Sequence, residues 1–424
     1  MKKIISLLLL FFCIGILQAQ KSIPVKPRIL ISTDIGGTDP DDNQSLAHLL
    51  MYSEQFEIEG LVSSPSFGPG SKSEILRMID LYEKDLPKLR KHIKNYPTPK
   101  YLRSITKEGR KSLNPYKGYI SATEGSDWII KCAKKKSEQP LWVLVWGGLE
   151  DLAQALHDAP EIQNRIKVYW IGGPNKKWSV NSYAYIAENF PNLWFIENNS
   201  SYRGLITNTK LSDKYNKGYY DHYIRGAGEL GKDFIKYYDG IVKMGDTPSL
   251  LYMMDGNPDN PEKDSWGGSF ERLDESPRTI FKENAIGQDT IPVYSIVEFH
   301  FEGPKIKKAP GTPCFTLHID KQDWAGFYLG EGLYGVRYTP KSPATLKYST
   351  TSDIKELDGR TGTFVVGTMW PGNISKDNYK LGNNWFTDKT DINLFDGRWQ
   401  GYKTVEMWRN EVLSDWAIRW DWLK

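Results

Sequence analysis

Six histidines and three cysteines in 424 residues leave little from which to build a zinc or redox centre. The histidines are scattered, with no His-Glu-x-x-His and no Cys-x-x-Cys, so zinc is not expected. The formal net charge is only +3, and two of those charges are Lys2 and Lys3. A chain this close to neutrality has no basic footprint for nucleic acid. Beyond the first twenty residues no apolar run approaches the roughly 18 residues of a membrane span. The pairs Gly147-Gly148 and Gly172-Gly173 are not followed by Lys-Ser or Lys-Thr, which excludes a phosphate-cradling loop of the P-loop kind. There are no internal repeats and no low-complexity tracts.

What is present begins with Lys2-Lys3, an apolar run over 4–17 and Gln18-Ala19-Gln20, the pattern of a secretory signal peptide over 1–20. Cys13 follows Leu10-Phe11-Phe12, which is no lipid-attachment box, so a secreted or periplasmic protein without an anchor is expected. Only Cys132 and Cys314 remain after processing. They fall in different units, and no disulfide is expected. The 15 Trp and 24 Tyr are a heavy aromatic load. Core packing accounts for most of it. A surplus in an exported protein also fits sugar-stacking surfaces, with Trp146, Trp178 and Trp266 as candidates.

From 28 to about 250 the pattern alternates. Strand-length apolar runs at 28–32, 58–63, 141–146, 166–171 and 193–197 are separated by helical periodicity at 44–52, 73–83, 124–136, 150–157, 182–189 and 227–238. This predicts an α/β fold with a mostly parallel sheet covered by helices on both faces. Ligands of such sheets sit outside the carboxyl ends of the strands. Polar or Gly-rich residues gather there: Ser63-Ser64-Pro65-Ser66, Gly147-Gly148-Leu149-Glu150-Asp151, Gly172-Gly173-Pro174-Asn175 and Glu197-Asn198-Asn199. After about 278 short alternating strands predict a β-sandwich insertion over 278–399 with a loop-rich end. Helical spacing returns at 404–422. The α/β unit is therefore expected to comprise 28–277 and 400–424. The β unit reads either as a rigid spacer or as a sugar-binding module.

The first strand end is the most unusual. In Thr33-Asp34-Ile35-Gly36-Gly37-Thr38-Asp39-Pro40-Asp41-Asp42 four carboxylates crowd into nine residues. They repel one another unless a cation lies among them, and a hard, oxygen-loving cation such as Ca²⁺ is the expected one. The alternative is a solvated turn whose Asp residues cap the next helix.

This stretch resembles the Asp-x-Asp-x-Gly-x-Asp-Asp signature of the inosine-uridine nucleoside hydrolases. Over the whole chain the resemblance is to exported nucleoside hydrolase-like proteins. It is carried also by Trp146-Gly147-Gly148…Asp151-Leu152-Ala153-Gln154-Ala155-Leu156, by Asn189-Phe190-Pro191-Asn192-Leu193-Trp194, by Gly245-Asp246-Thr247-Pro248-Ser249 and by Trp408…Asp415-Trp416-Ala417…Trp420. The β segment, with Val297-Glu298-Phe299-His300-Phe301-Glu302-Gly303-Pro304, looks like the immunoglobulin-like domain that precedes many glycoside hydrolase-like proteins.

The resemblance implies a Ca²⁺-dependent hydrolysis at an anomeric carbon. Asp34 matches the base that also ligates calcium, and Asp42 the second carboxylate ligand. Glu150 falls where a backbone carbonyl completes the shell, and Asp246 matches the late Asp that closes it. Asp41 matches an acceptor of sugar hydroxyls. Ser64 and Asn181 fall where the family has sugar-binding Asn residues, and Asn198 and Asn199 extend that candidate set. Four departures stand out. Ser32 replaces the first Asp, three extra residues lengthen the turn, Glu150 replaces a Thr, and Gly245 stands where a His serves as acid for the leaving base. The metal site is expected to survive these changes, and an ordinary ribonucleoside substrate is not. The primary reading is an exported calcium-dependent hydrolase of an N- or O-glycosidic bond in a carbohydrate or glycoconjugate. A non-catalytic carbohydrate-binding protein and a true nucleoside N-ribohydrolase are the alternatives. Homodimerisation is left open.

Overall fold

A computed structural model describes residues 25–206, 213–368, 370–372 and 375–424. The signal-peptide reading over 1–20 lies outside the described residues. Six strands form most of the first sheet: β1 (Arg28–Thr33), β2 (Glu57–Ser63), β3 (Thr106–Glu108), β4 (Leu141–Val145), β5 (Ile166–Ile171) and β6 (Trp194–Asn198). Their order is β3-β2-β1-β4-β5-β6, all parallel. β1 and β4 are buried along their whole length. That burial explains their continuous Ile, Leu and Val runs, since helices cover both faces of a parallel sheet. The α/β architecture expected from the alternation is the one observed.

The sheet has three strands more than the apolar runs indicated, the short β3 and two beyond β6. Trp385–Asp388 pairs parallel to β6, and β7 (Phe270–Arg272) pairs antiparallel to it, giving eight strands in all. The expected boundary of the β unit at 399 is therefore corrected: the loop-rich stretch after 370 returns a strand to the first sheet. Trp385 is fully buried and stacks on Phe195 at 4.4 Å, which supplies the reason.

The C-terminal helix Arg409–Asp421 lies against the same unit. Trp416 and Trp420 enter the core beside Phe234, Arg419 pairs with Glu54 at 2.7 Å, and Asp415 accepts from Tyr52 at 2.5 Å. Among the described residues no helix is long and apolar enough to cross a membrane.

The second unit is an eight-stranded, mostly antiparallel sheet built from 278–367. Phe299, near one end of the strand order, touches Tyr348 at 4.6 Å and Phe364 at 6.2 Å, both near the other end. The sheet thus closes over a shared aromatic core, in the manner of a sandwich. Cys132 and Cys314 are free thiols.

An acidic cavity at the carboxyl edge of the sheet

β1 ends at Thr33, and the chain turns through Asp34–Pro40 into helix Asp41–Met51. The turn, the ends of β4 and β5, and the segment 243–246 enclose a cavity of about 130 Å³. Asp34, Asp39, Asp41, Asp42 and Asp246 line it, with Trp146, Asn175, Tyr202, Arg203 and Lys243. Within it, oxygens of Asp41, Asp42 and Asp246 lie within 4.8 Å of one another.

None of these carboxylates serves as a helix cap. Pro40 stands at the cap position of the Asp41–Met51 helix, and Asp246 at that of Thr247–Met254, and neither position makes a side-chain capping bond. The capping alternative is therefore not what the structure shows. Asp42 accepts from Thr33 Oγ1, whereas the buried Oδ2 of Asp246 has no hydrogen-bond partner among the described residues. Unpaired buried carboxylate oxygens are costly. Burial, followed by the charge of Asp246, Asp34 and Asp41, pushes Asp42 well above the ordinary carboxylate range. Burial and then Asp39 do the same to Asp41, and burial and then Asp41 to Asp246. Burial raises Asp34 to about 7, against hydrogen bonds with Asp42 and Ser66 that act in the opposite direction. Hard oxygens, mutual repulsion and an unpaired acceptor fit a hard divalent cation.

Two glycines are required by these contacts. A Cβ at Gly147 would stand 2.9 Å from Asp34 Oδ1, and one at Gly245 would stand 2.5 Å from Asp41 Oδ2. A side chain at 245 would therefore displace the Asp41 carboxylate. Lys243, in the lining, pairs with Asp39 and donates to Tyr238 at 2.8 Å. The guanidinium of Arg203, also in the lining, lies 3.9 Å over the Trp399 ring.

With this geometry established, the comparisons decide the family. A model described as cellulose-binding Sde182, nucleoside hydrolase-like domain, matches residues 28–270. The chain belongs to this family. A second model, a domain of unknown function (DUF5060), matches 290–353. A nucleoside hydrolase-related hypothetical protein from Saccharophagus degradans, described as associated with carbohydrate metabolism, is 19% identical, with 81% of this chain and 100% of that chain covered and a TM-score of 0.50. An inosine-uridine preferring nucleoside hydrolase from Bacillus anthracis is 17% identical, with coverages of 60% and 87% and a TM-score of 0.40. No curated protein matches the chain.

The Sde182-type domain brings together Asp34, Asp41, Asp42, Asp246 and Trp146, and places the other candidates elsewhere. Asp41, expected on a sugar hydroxyl, stands in the carboxylate triad; Asp34, expected as a ligand, lines the cavity beside it. Trp146 is almost wholly buried and donates to Ser249 Oγ at 2.8 Å, so it forms the cavity wall and not an open platform. Glu150 is a correction. Its carbonyl accepts from Asn114 Nδ2 at 3.3 Å, and its carboxyl accepts from Ser179 at 3.0 Å and is raised to about 8 by burial.

Ser64 is buried and donates to the Gly148 carbonyl at 3.1 Å. Asn181 donates to the Asn114 carbonyl at 3.1 Å. Asn198 accepts from Ser201 Oγ and Tyr202 N at 3.0 Å each, and Asn199 accepts from Gly173 N at 2.8 Å. Trp266 packs against the small cluster of Leu205, Leu251, Val405 and Val412. Trp178 does not line the cavity; it ends the helix Pro174–Trp178, whose first two residues do. The residues that sequence reasoning left out of the site are Asp39, Asn175, Tyr202, Arg203 and Lys243. Asn175 ends the Gly-rich turn after β5, and Lys243 directly precedes Met244-Gly245-Asp246, so position alone could have nominated both.

Proposed function

We propose that this protein is an exported hydrolase of a glycosidic bond in a carbohydrate or glycoconjugate, assisted by Ca²⁺ held among Asp41, Asp42 and Asp246. The observation that carries the reading is the carboxylate triad with its unpaired Asp246 oxygen, beside a further carboxylate, Asp34, in one cavity. The family description and the carbohydrate association of the Saccharophagus degradans relative support a sugar ligand, with β-glucans the first class to test. A hard cation supplies positive charge that favours deprotonation of water and fixes sugar hydroxyls.

The protein's own groups do the rest. Asp34, kept close to the β4 end by Gly147, accepts the proton of the attacking water as its oxygen bonds to the anomeric carbon; the glycosidic bond breaks and the departing atom takes a proton from solvent. Charge from the surrounding carboxylates stabilises an oxocarbenium-like transition state. Trp146 and Tyr202 exclude bulk water from one side. Asp34→Asn is expected to lower turnover of a cleaved glycoside by about 100-fold or more, the usual contribution of a positioned base. Reducing-sugar release measures it, and retained activity would rule out this mechanism.

One observation favours a second reading, a carbohydrate-binding protein without turnover. Among the described residues no histidine lines the cavity, and Gly245 leaves no room for one without moving Asp41. The same observation disfavours a nucleoside hydrolase, whose leaving base needs an acid. Binding of glycans without product release would support the second reading, and release of free base from a nucleoside panel the third. Gly245→Ala tests the metal reading separately. Its Cβ displaces Asp41, so calcium affinity measured by calorimetry should fall about tenfold, the lower end for disturbed ligand orientation.

A further inference from the structure

A loop bonded to the cavity wall carries an aromatic that the cavity's own chemistry does not use. Phe67 is 59% exposed. A single exposed apolar side chain is ordinary, but this one is held in place. Its loop is tied down on both sides: Ser64 N donates to Thr33 O at 2.8 Å, Gly148 N to Pro65 O at 2.9 Å, Ser66 N to Gly68 O at 3.0 Å and Ser71 N to Ile35 O at 2.8 Å. The Phe67 ring rests against Trp178 at 4.8 Å, and Trp178 stacks nearly parallel on Trp324 of the β unit at 5.4 Å and 17°. Lys177, next to Trp178, pairs with Asp320 of the β unit at 2.8 Å. Phe67 is thus an exposed ring backed by two further rings across the junction of the two units.

The loop that carries this ring is bonded to the wall of the acidic cavity. Ser66, its neighbour, donates to Asn175 Oδ1 at 2.5 Å, and Asn175 lines the cavity. Trp178 ends the short helix Pro174–Trp178 that starts with the cavity residues Pro174 and Asn175. Three residues of helix place Trp178 about 4.5 Å along the axis from Asn175. Phe67 therefore neighbours a residue bonded to the cavity wall and packs on the helix that carries that wall.

We propose that Phe67, backed by Trp178 and Trp324, is an outer subsite that stacks on a pyranose ring of a glycan chain whose terminal sugar occupies the acidic cavity. A pyranose ring offers an apolar face of C–H groups and a rim of hydroxyls. The exposed ring takes the first, and the carboxylates take the second. Because the loop is already fixed, little ordering cost offsets the burial of the two apolar faces. The occupant is an oligosaccharide that extends beyond the sugar held in the cavity. The β unit then supports the subsite by holding Trp178 through Trp324.

The proposal rests on the reading that the cavity takes a carbohydrate, and the test separates the two. Calorimetric binding of cellobiose and cellohexaose is measured in excess calcium for the parent protein, Phe67→Ala and Phe67→Trp. The parent is expected to bind cellohexaose about tenfold tighter than cellobiose, a gain of the size that burying one ring face gives. Phe67→Ala should lose that gain and leave cellobiose binding within about twofold, and Phe67→Trp should restore it. Phe67 is exposed, so both variants should fold, which an unchanged melting temperature confirms. A length preference that survives Phe67→Ala overturns the subsite and leaves the carbohydrate reading intact. A parent protein that binds neither saccharide overturns both.

Discussion

In excess chelator, Asp246→Asn is expected to melt at a higher temperature than the parent protein, and in excess calcium at a lower one. The triad holds three carboxylates whose oxygens fall within 4.8 Å, and Asp246 Oδ2 lacks a partner among the described residues. Two unit charges 4 Å apart repel by about 4 kcal/mol at an effective dielectric constant of 20. Partial protonation relieves some of this, so removing one charge should return about 1–3 kcal/mol to the cation-free fold. The sign with pH follows from the same carboxyls. Asp41, Asp42 and Asp246 are all raised above 3.8 in the folded protein. Between 3.8 and their raised values the folded state binds more protons than the unfolded state, so cation-free stability falls as pH rises through that window. On the function proposed above, calcium is expected to take the place of those protons. At 100 times its dissociation constant it adds about 2.7 kcal/mol to the parent, and much less to a variant lacking one ligand. Thermal denaturation with chelator and with calcium, at pH 5 and pH 8, measures both the crossing and the slope. A parent protein indifferent to calcium would remove the metal from the site.

The acidic turn was legible because its composition contradicts its surroundings: carboxylates follow directly on a fully buried apolar strand, and nothing in the local sequence neutralises them. The parallel core was legible for a related reason, since strands buried on both faces leave continuous apolar runs. The polar strand ends were misread for one physical cause. Ser64, Glu150, Asn198 and Asn199 have the residue types of ligand contacts, yet the buried backbone around them needs hydrogen-bond partners first. Asn199 shows this plainly. Its side chain accepts from Gly173 N and donates to Glu197, while its own N–H donates to Asp388. Asp388 also escaped notice, because the strand that carries it is short and is defined by its neighbours in the sheet, not by its own pattern. There it accepts from the backbone of Asn199, Ser200 and Ser201, and burial raises it to about 7. Arg203 and Tyr202 reach the cavity only through the tertiary fold, and a run of sequence carries no sign of that.

Glu298→Gln is expected to destabilise the protein by about 3–5 kcal/mol, the usual cost of removing one partner from a buried ion cluster. Glu298 is fully buried and accepts from Arg278 at 2.9 and 3.0 Å, from Arg337 at 2.7 Å, from Tyr116 OH at 3.0 Å and from Tyr379 OH at 3.2 Å. Tyr116 belongs to the loop after β3, so the cluster joins the β unit to the α/β unit. Arg337 strengthens the joint by donating to the Tyr116 carbonyl at 2.5 Å and lying 3.8 Å over its ring. A glutamine keeps the shape but leaves two guanidinium groups without their counter-charge. At roughly 2 °C per kcal/mol for a chain of this size, the melting temperature should fall by about 5–10 °C. Tyr116→Phe removes one neutral hydrogen bond and should cost only about 1 kcal/mol, which separates the charge effect from the docking contact. The pH dependence fixes the cause. Burial alone would raise Glu298, but hydrogen bonds with His300 and Arg278 and the charge of Arg337 outweigh it and hold the carboxyl below its ordinary 4.5. Its contribution is therefore complete above 4.5 and is lost as pH falls through the lower folded-state value. The gap between parent and Glu298→Gln should be constant from pH 7 to about 5 and narrow below 4.5. A gap that stays constant down to pH 3 would show that the glutamine acts through packing and not through the lost charge.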